Sequence, residues 1–163
     1  LIGIASSGLH TNGYSLARAV VKEAKLDLQQ PYGMEEPLGR MLLRPHREYV
    51  TLIQQLRRDF TIKGIAHITG GGITDNLPRI LPKGLGAEIR INSWPRPRLF
   101  ALLQEKGSIP EEDMRRAFNL GIGLIIAVAA ADSEAVLERF NQGDKGYAIG
   151  TIVRGKGVAY TED

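Results

Sequence analysis

The 163 residues contain no cysteine. Disulfides and thiolate metal sites are therefore excluded, and the chain suits a reducing compartment such as the cytoplasm. Aromatic residues are scarce, at 6% with one tryptophan, and the basic residues are dispersed, so no nucleic-acid partner is expected. Neither sign of charge dominates: 21 Lys and Arg stand against 18 Asp and Glu, for a formal +3. That small basic excess suits phosphorylated ligands as readily as a solvated surface. Long apolar runs are also missing. The longest, Leu124 to Ala131, is far too short to span a bilayer, so no membrane partner is expected. The first residues lack a basic segment followed by an apolar one, so no secretion signal is expected there. Walker, GxGxxG and HExxH patterns and a GxSxG elbow are absent, which removes P-loop, dinucleotide, zinc-protease and triad chemistry as motif-based readings.

What is present fits one folded unit. Hydrophobic residues make up 43% of the chain, ordinary for a globular protein, and the length allows a single domain over 1–163 with its own core. The chain starts without methionine inside an apolar, strand-like run, Leu1 to Ala5. Domains usually begin in polar slack, so upstream sequence is expected to precede it. Helical spacing predicts helices over 12–25, 45–60, 96–106, 110–119 and 132–142, and a short one over 73–81. Thr11 or Asn12 is the expected cap of the first, and Val50, Ile53, Leu56 and Phe60 the buried stripe of the second. Apolar runs predict strands over 62–68, 87–91, 123–130 and 148–154, with 155–160 closing a hairpin. The breakers in 28–43 mark that stretch as a surface excursion. Alternating strands and helices argue a mixed α/β fold, with helices packed on a mixed sheet.

Two segments stand out chemically. In Ile65-Ala66-His67-Ile68-Thr69-Gly70-Gly71-Gly72, a strand delivers three glycines to a helix start. Bare backbone permits close approach, and unpaired N–H groups at a helix start suit phosphate; Thr69 adds a hydroxyl. The same layout is also what a tight structural turn would show. In Ser6-Ser7-Gly8-Leu9-His10-Thr11-Asn12-Gly13-Tyr14, two serines, an imidazole and an amide follow another strand and can converge on one polar ligand, beyond capping a helix. Both turns are expected at the carboxyl edge of the sheet, where open α/β folds bind ligands. Arg79 lies just beyond the glycines and can pair with phosphate or with a surface carboxylate. Asn119, in RAFNLGIG, needs partners wherever it is buried. His10, His46 and His67 show no metal-ligand spacing, so no metal site is expected, and His46 reads as an exposed polar residue.

These segments, in this order, resemble one family. ASSGLHTNGYSLAR, GIAHITGGGITDNLPRILPKGLGAEI, SWPRPRLFALLQEKG, EEDMRRAFNLGIGLIIAV and YAIGTIV are similar to the C-terminal domain of the phosphoribosylformylglycinamidine cyclo-ligase (AIR synthetase) family. The similarity covers nearly the whole chain. Thr11, Asp75 and Ala117 stand where that family commonly has Ser, Glu and Thr, the last costing a hydroxyl. The resemblance implies an ATP- and Mg2+-dependent ligase of purine biosynthesis. There, formylglycinamidine ribonucleotide is activated on its amide oxygen as a phosphate ester and closed by ring-nitrogen attack to aminoimidazole ribonucleotide. It implies an N-terminal ATP-binding domain outside this chain, a homodimer formed through that domain, and a fragment inactive alone. By position, Thr69, Gly70, Gly71 and Gly72 would touch phosphate, while Ser6, Ser7, His10 and Asn12 would hold substrate or phosphate. His10 and His67 are the candidates for proton transfer or oxyanion support; Asn76, Arg79 and Asn119 are further binding candidates. Two other readings stay open: a non-catalytic module binding a phosphorylated metabolite, and the equivalent domain of a sister enzyme such as selenophosphate synthetase.

Overall fold

A computed structural model describes residues 1–140 and 144–162. Its first sheet has the order β2-β4-β1-β5, built from β1 (Ile2–Ala5), β2 (Gly64–His67), β4 (Ile122–Ala127) and β5 (Gly146–Ala148). Every pairing in it is antiparallel. The second has the order β6-β3-β7, from β3 (Leu85–Arg90), β6 (Gly150–Arg154) and β7 (Val158–Thr161). Here β3 pairs antiparallel with β6 and parallel with β7. The mixed α/β class therefore holds, but with two sheets where one was expected.

The central strand β4 is buried at all six positions, because both sheet faces are covered. On one face Ile2, Ile4, Leu124 and Ile126 meet α3 (Val50–Asp59) and α7 (Ser133–Phe140) through Leu56, Val136 and Phe140. On the other, Ala66, Ile122 and Ile125 meet Ala87 and Ile89 of the second sheet, with Ile73 and Leu77 between. A third cluster is helical. It joins α1 (Tyr14–Glu23), α2 (Leu38–Leu42), α5 (Arg98–Gly107) and α6 (Glu111–Ala117) around Phe100, Leu103, Met114 and Phe118. Each such large apolar side chain contributes about 2–3 kcal/mol on burial.

Several local expectations are corrected. The first helix is capped at Gly13, in a left-handed conformation with no side-chain cap bond, because Thr11 bonds His46 instead. In that helix Ala17 and Val20 are buried. The excursion over 28–43 includes α2, whose Leu38 and Met41 are buried. α3 begins at Val50 rather than Pro45 and leaves Val50 63% exposed, since Arg47 and Tyr49 are drawn to the carbonyl of Ala5. Strand β2 lies at a sheet edge with Ile65 39% exposed, so it is not a buried strand. The expected helix over 73–81 is α4 (Gly72–Asn76) followed by a 3-10 turn over Leu77–Ile80. Of the helix expected over 132–142, residues 141 and 142 lie outside the described residues. The expected strand over 148–154 divides at Ile149 between the two sheets, and no hairpin forms: β7 pairs with the far side of β3.

Candidate functional site

Strands β1 and β2 both run antiparallel to β4, which lies between them. Their carboxyl ends therefore share one edge, although the sheet is antiparallel throughout. The entry to β4 reaches the same edge: Ser6 N–H donates to Gly121 O at 2.8 Å and Ile68 N–H to Gly123 O at 2.9 Å. Three loops meet there, over 6–13, 68–72 and 118–121. A fourth segment, 45–49, closes the edge from outside.

Two buried amides hold these loops in shape. Asn119 Nδ2 donates to the carbonyls of Gly8 and Leu9, while its Oδ1 accepts from Ser6 Oγ and Gly121 N–H. Asn76 Nδ2 donates to the carbonyls of Thr69, Gly70 and Gly72, and its Oδ1 accepts from Thr69 Oγ1. Both amides are 4% exposed and fully engaged by protein, so they position loops. Ser7 is likewise engaged, its hydroxyl donating to Pro45 O at 2.7 Å.

The glycine loop is shaped by packing more than by a helix. Gly72 has φ 59°, and a Cβ there would sit 1.8 Å from Arg115 O. Gly71 N–H donates to Arg116 O and Gly72 N–H to Thr69 O. Helix α4 is only five residues long, so the expected helix-terminus anion site is not what this loop offers. Gly70 is exposed, and its N–H has no acceptor among the described residues. Asn12 Oδ1 lies 3.6 Å from where a Cβ on Gly70 would stand, and the Asn12 amide has no protein hydrogen-bond partner among them either. Arg79 stands exposed on the 3-10 turn and makes no hydrogen bond or ion pair with these loops.

His10 is the unusual residue. It is 4% exposed and has φ 62°, a left-handed conformation that costs a side-chain-bearing residue energy unless its surroundings impose it. Its Nε2 accepts from Ser7 N–H at 3.1 Å. The neutral ring therefore carries its proton on Nδ1, which is buried without a partner among the described residues. Burial, then His46, His67 and Arg47, lower its pKa to about 4, so the ring is neutral near pH 7. Burial and then His46 lower that of His67 as well.

The sequence did not disclose that all three histidines meet here. His46 and His10 stack with centroids 4.0 Å apart. His46 Nε2 lies 3.1 Å from His67 Nε2, and its Nδ1 lies 2.8 Å from Thr11 Oγ1. His46 is exposed as expected, yet both its nitrogens are engaged. Tyr49 was also missed. Its hydroxyl donates to Ala5 O at 3.0 Å, and a Cβ on Gly123 would stand 2.1 Å from that hydroxyl and 2.5 Å from His10 Cε1. The Arg-Pro-His-Arg run before a helix was the one available signal. Beside Ser6 and Gly121 a cleft of about 360 Å3 opens, with Arg44, Arg98 and Lys145 in its wall.

The sequence pattern of the AIR synthase related protein, C-terminal domain, matches residues 1–162. The phosphoribosylformylglycinamidine cyclo-ligase of Geobacillus kaustophilus (strain HTA426) is 48% identical over 163 residues, covering 98% of this chain and 47% of that protein. The cyclo-ligase of Geobacillus sp. (strain WCH70) is 50% identical over the same coverage. This chain thus spans about half the length of the curated relatives it matches. Among solved structures, thiamine-monophosphate kinase from Stenotrophomonas maltophilia K279a has a TM-score of 0.66 at 20% identity, covering 99% of this chain and 50% of that one. The E. coli hydrogenase maturation protein HypE has a TM-score of 0.59 at 22% identity, covering 98% and 46%. At those identities the likeness is one of fold.

Proposed function

The chain belongs to the AIR synthase related protein family, as its C-terminal domain, and from that premise we propose that it is the C-terminal half of a phosphoribosylformylglycinamidine cyclo-ligase. The single observation that carries this reading is the match over almost the whole chain to cyclo-ligases about twice its length. The reaction is the closure of formylglycinamidine ribonucleotide to aminoimidazole ribonucleotide, with ADP and phosphate released. Cytoplasmic placement follows from that role. No helix among the described residues is long and apolar enough to cross a membrane.

The site suits the work this half would do. Cyclisation needs positioning and stabilisation of developing negative charge more than a protein nucleophile. Three donors without partners among the described residues belong to these loops: the exposed Gly70 N–H, the Asn12 amide beside it, and the buried His10 Nδ1–H. They are assigned to an anionic oxygen of the activated amide or its phosphate, with Thr69, Gly71 and Gly72 shaping the loop around it. Ser6 and Ser7 hold the first loop in place, as Asn76 and Asn119 hold both. His67 is the exposed imidazole assigned to proton transfer. In the adjoining cleft Arg44 is paired with Glu35 and Glu36 and Arg98 with Glu105, so Lys145 is the cation assigned to the substrate's own phosphate, and Arg79 is left at the periphery.

ATP, when bound, supplies the phosphoryl group that makes the amide oxygen a leaving group. Among the described residues the one set of three His, Cys, Asp or Glu side chains able to share an ion is the histidine trio. Mg2+ calls for oxygen ligands, so it is assigned with ATP to the N-terminal domain, as is the homodimer contact.

The test is ATP-dependent formation of aminoimidazole ribonucleotide by this chain, alone and mixed with a separately made N-terminal half of the Geobacillus kaustophilus enzyme. Activity is expected only in the mixture. His10→Ala in that mixture is expected to lower kcat by roughly a hundredfold, the scale of one lost oxyanion donor. A folded chain with no activity in either case overturns the reading.

A further inference from the structure

We propose that His46 and His67, closed by His10, form a binding site for a borderline transition-metal cation of the Zn2+, Co2+, Ni2+ class. Neither local spacing nor the cyclo-ligase reading calls for such a site, and the inference does not rest on that reading. It rests on where the fold puts three imidazoles whose neighbours in sequence are 36 and 21 residues apart.

The pair His46–His67 has the bite of a chelate. Two imidazole nitrogens held about 2.0–2.1 Å from one tetrahedral ion stand roughly 3.3 Å apart. The two Nε2 atoms stand 3.1 Å apart. One nitrogen from each of His10, His46 and His67 lies within 4.8 Å of the others, and His10, whose ring stacks on that of His46, joins as the third ligand by turning its ring and closing about 1.5 Å.

The outer contacts orient the pair as metal ligands are oriented. A ligating histidine usually gives its other ring N–H to an oxygen, which fixes the tautomer and aims the free lone pair. His46 Nδ1 is 2.8 Å from Thr11 Oγ1. With its proton there, the Nε2 lone pair points at His67, which ligates through Nε2 once its own proton sits on Nδ1. The nearby Arg47 is ion-paired with Asp144, which offsets its charge at the site.

His10 joins through Nδ1, which moves its proton to Nε2 and ends the bond accepted there from Ser7 N–H. Metal binding and the Nδ1–H donor role of His10 are therefore alternative states. Solvent supplies the fourth position, since His46 and His67 are exposed. The all-nitrogen set selects the ion: imidazoles suit Zn2+, Co2+, Ni2+ and Cu2+, whereas Mg2+ and Ca2+ demand oxygens.

The experiment is titration of this chain with Zn2+ by calorimetry, and with Co2+ by its visible ligand-field absorption, neither of which needs enzyme activity. One ion per chain is expected, with no displacement by a large excess of Mg2+. His46→Gln and His67→Gln preserve size and hydrogen bonding at exposed positions, and circular dichroism checks their fold. Each is expected to weaken binding by roughly tenfold or more, the scale on which metal sites respond to lost ligand geometry. No 1:1 binding by the unmutated chain, Mg2+ competition, or either folded variant binding as tightly as the unmutated chain overturns the proposal.

Discussion

At the scale of single residues, Asn119 shows how one amide can stand between two loops and hold both. It meets Gly8, Leu9, Ser6 and Gly121 from a position 4% exposed. Replacing it with Ala leaves Gly121 N–H without its acceptor and removes the bond of Ser6 Oγ. Leaving a buried donor unsatisfied costs about 1–3 kcal/mol. Asn119→Ala is therefore expected to lower unfolding free energy by about 3 kcal/mol, read as a lower urea midpoint at unchanged slope. An unchanged midpoint would show that the amide is not what holds the loops. Asn76 plays the same part for the glycine loop, and the two left-handed residues at this edge, His10 and Leu120 with φ of 62° and 50°, are kept in place by these networks.

At the scale of elements, α6 carries a charge network that connects two helices. Glu111 in its first turn accepts from Arg96 and Gln104 and pairs with Arg115 one turn on. The Arg96 hydrogen bond, then that from Gln104 and the charges of Arg96 and Arg115, hold the Glu111 carboxyl down at about 2, against an ordinary 4.5 and the opposing effect of burial. A depressed carboxylate contributes stability that is complete above its unfolded pKa and is lost as pH falls through its folded one. The window is therefore from about pH 4.5 down to about 2. Glu111→Gln is expected to lower the thermal midpoint at pH 7 and to narrow its gap from the unmutated chain across that window. A gap independent of pH would mean the carboxylate's charge is not what matters. The same element shows a limit of periodicity. The spacing in 110–119 predicts a helix to Asn119, yet α6 ends at Ala117, because Asn119 is required by the loops beyond it.

At the scale of the whole molecule, the two sheets are joined where the chain leaves β5, passes the buried Ile149 and enters β6. Gly150 makes that passage possible: a Cβ there would stand 2.0 Å from Glu88 O, in the strand it pairs with. Gly150→Ala is expected to cost about 3 kcal/mol, the upper range for overpacking, and to speed hydrogen exchange along β3 before β4. Equal exchange in both strands and an unchanged melting temperature would disprove the role given to this junction.

The sequence by itself determined the helices with strong apolar stripes, above all α5 with Leu99, Leu102 and Leu103 inward, because a 3.6-residue period is written in local order. It also marked the buried run of β4, since a short unbroken apolar stretch suits a strand covered on both faces, although β4 ends at Ala127 and not at Ala130 as expected. It marked two of the loops that meet at the candidate site, because glycines, serines and histidines after strands are local signals too. Tertiary structure alone decided which strands are neighbours, that β7 crosses to the far side of β3, and that Asn76 and Asn119 face loop backbone. It alone brought His46 to His10 and His67. Such pairings depend on the relative direction and separation of strands distant in sequence, and those are set by which faces can be buried together, which no short window of residues contains.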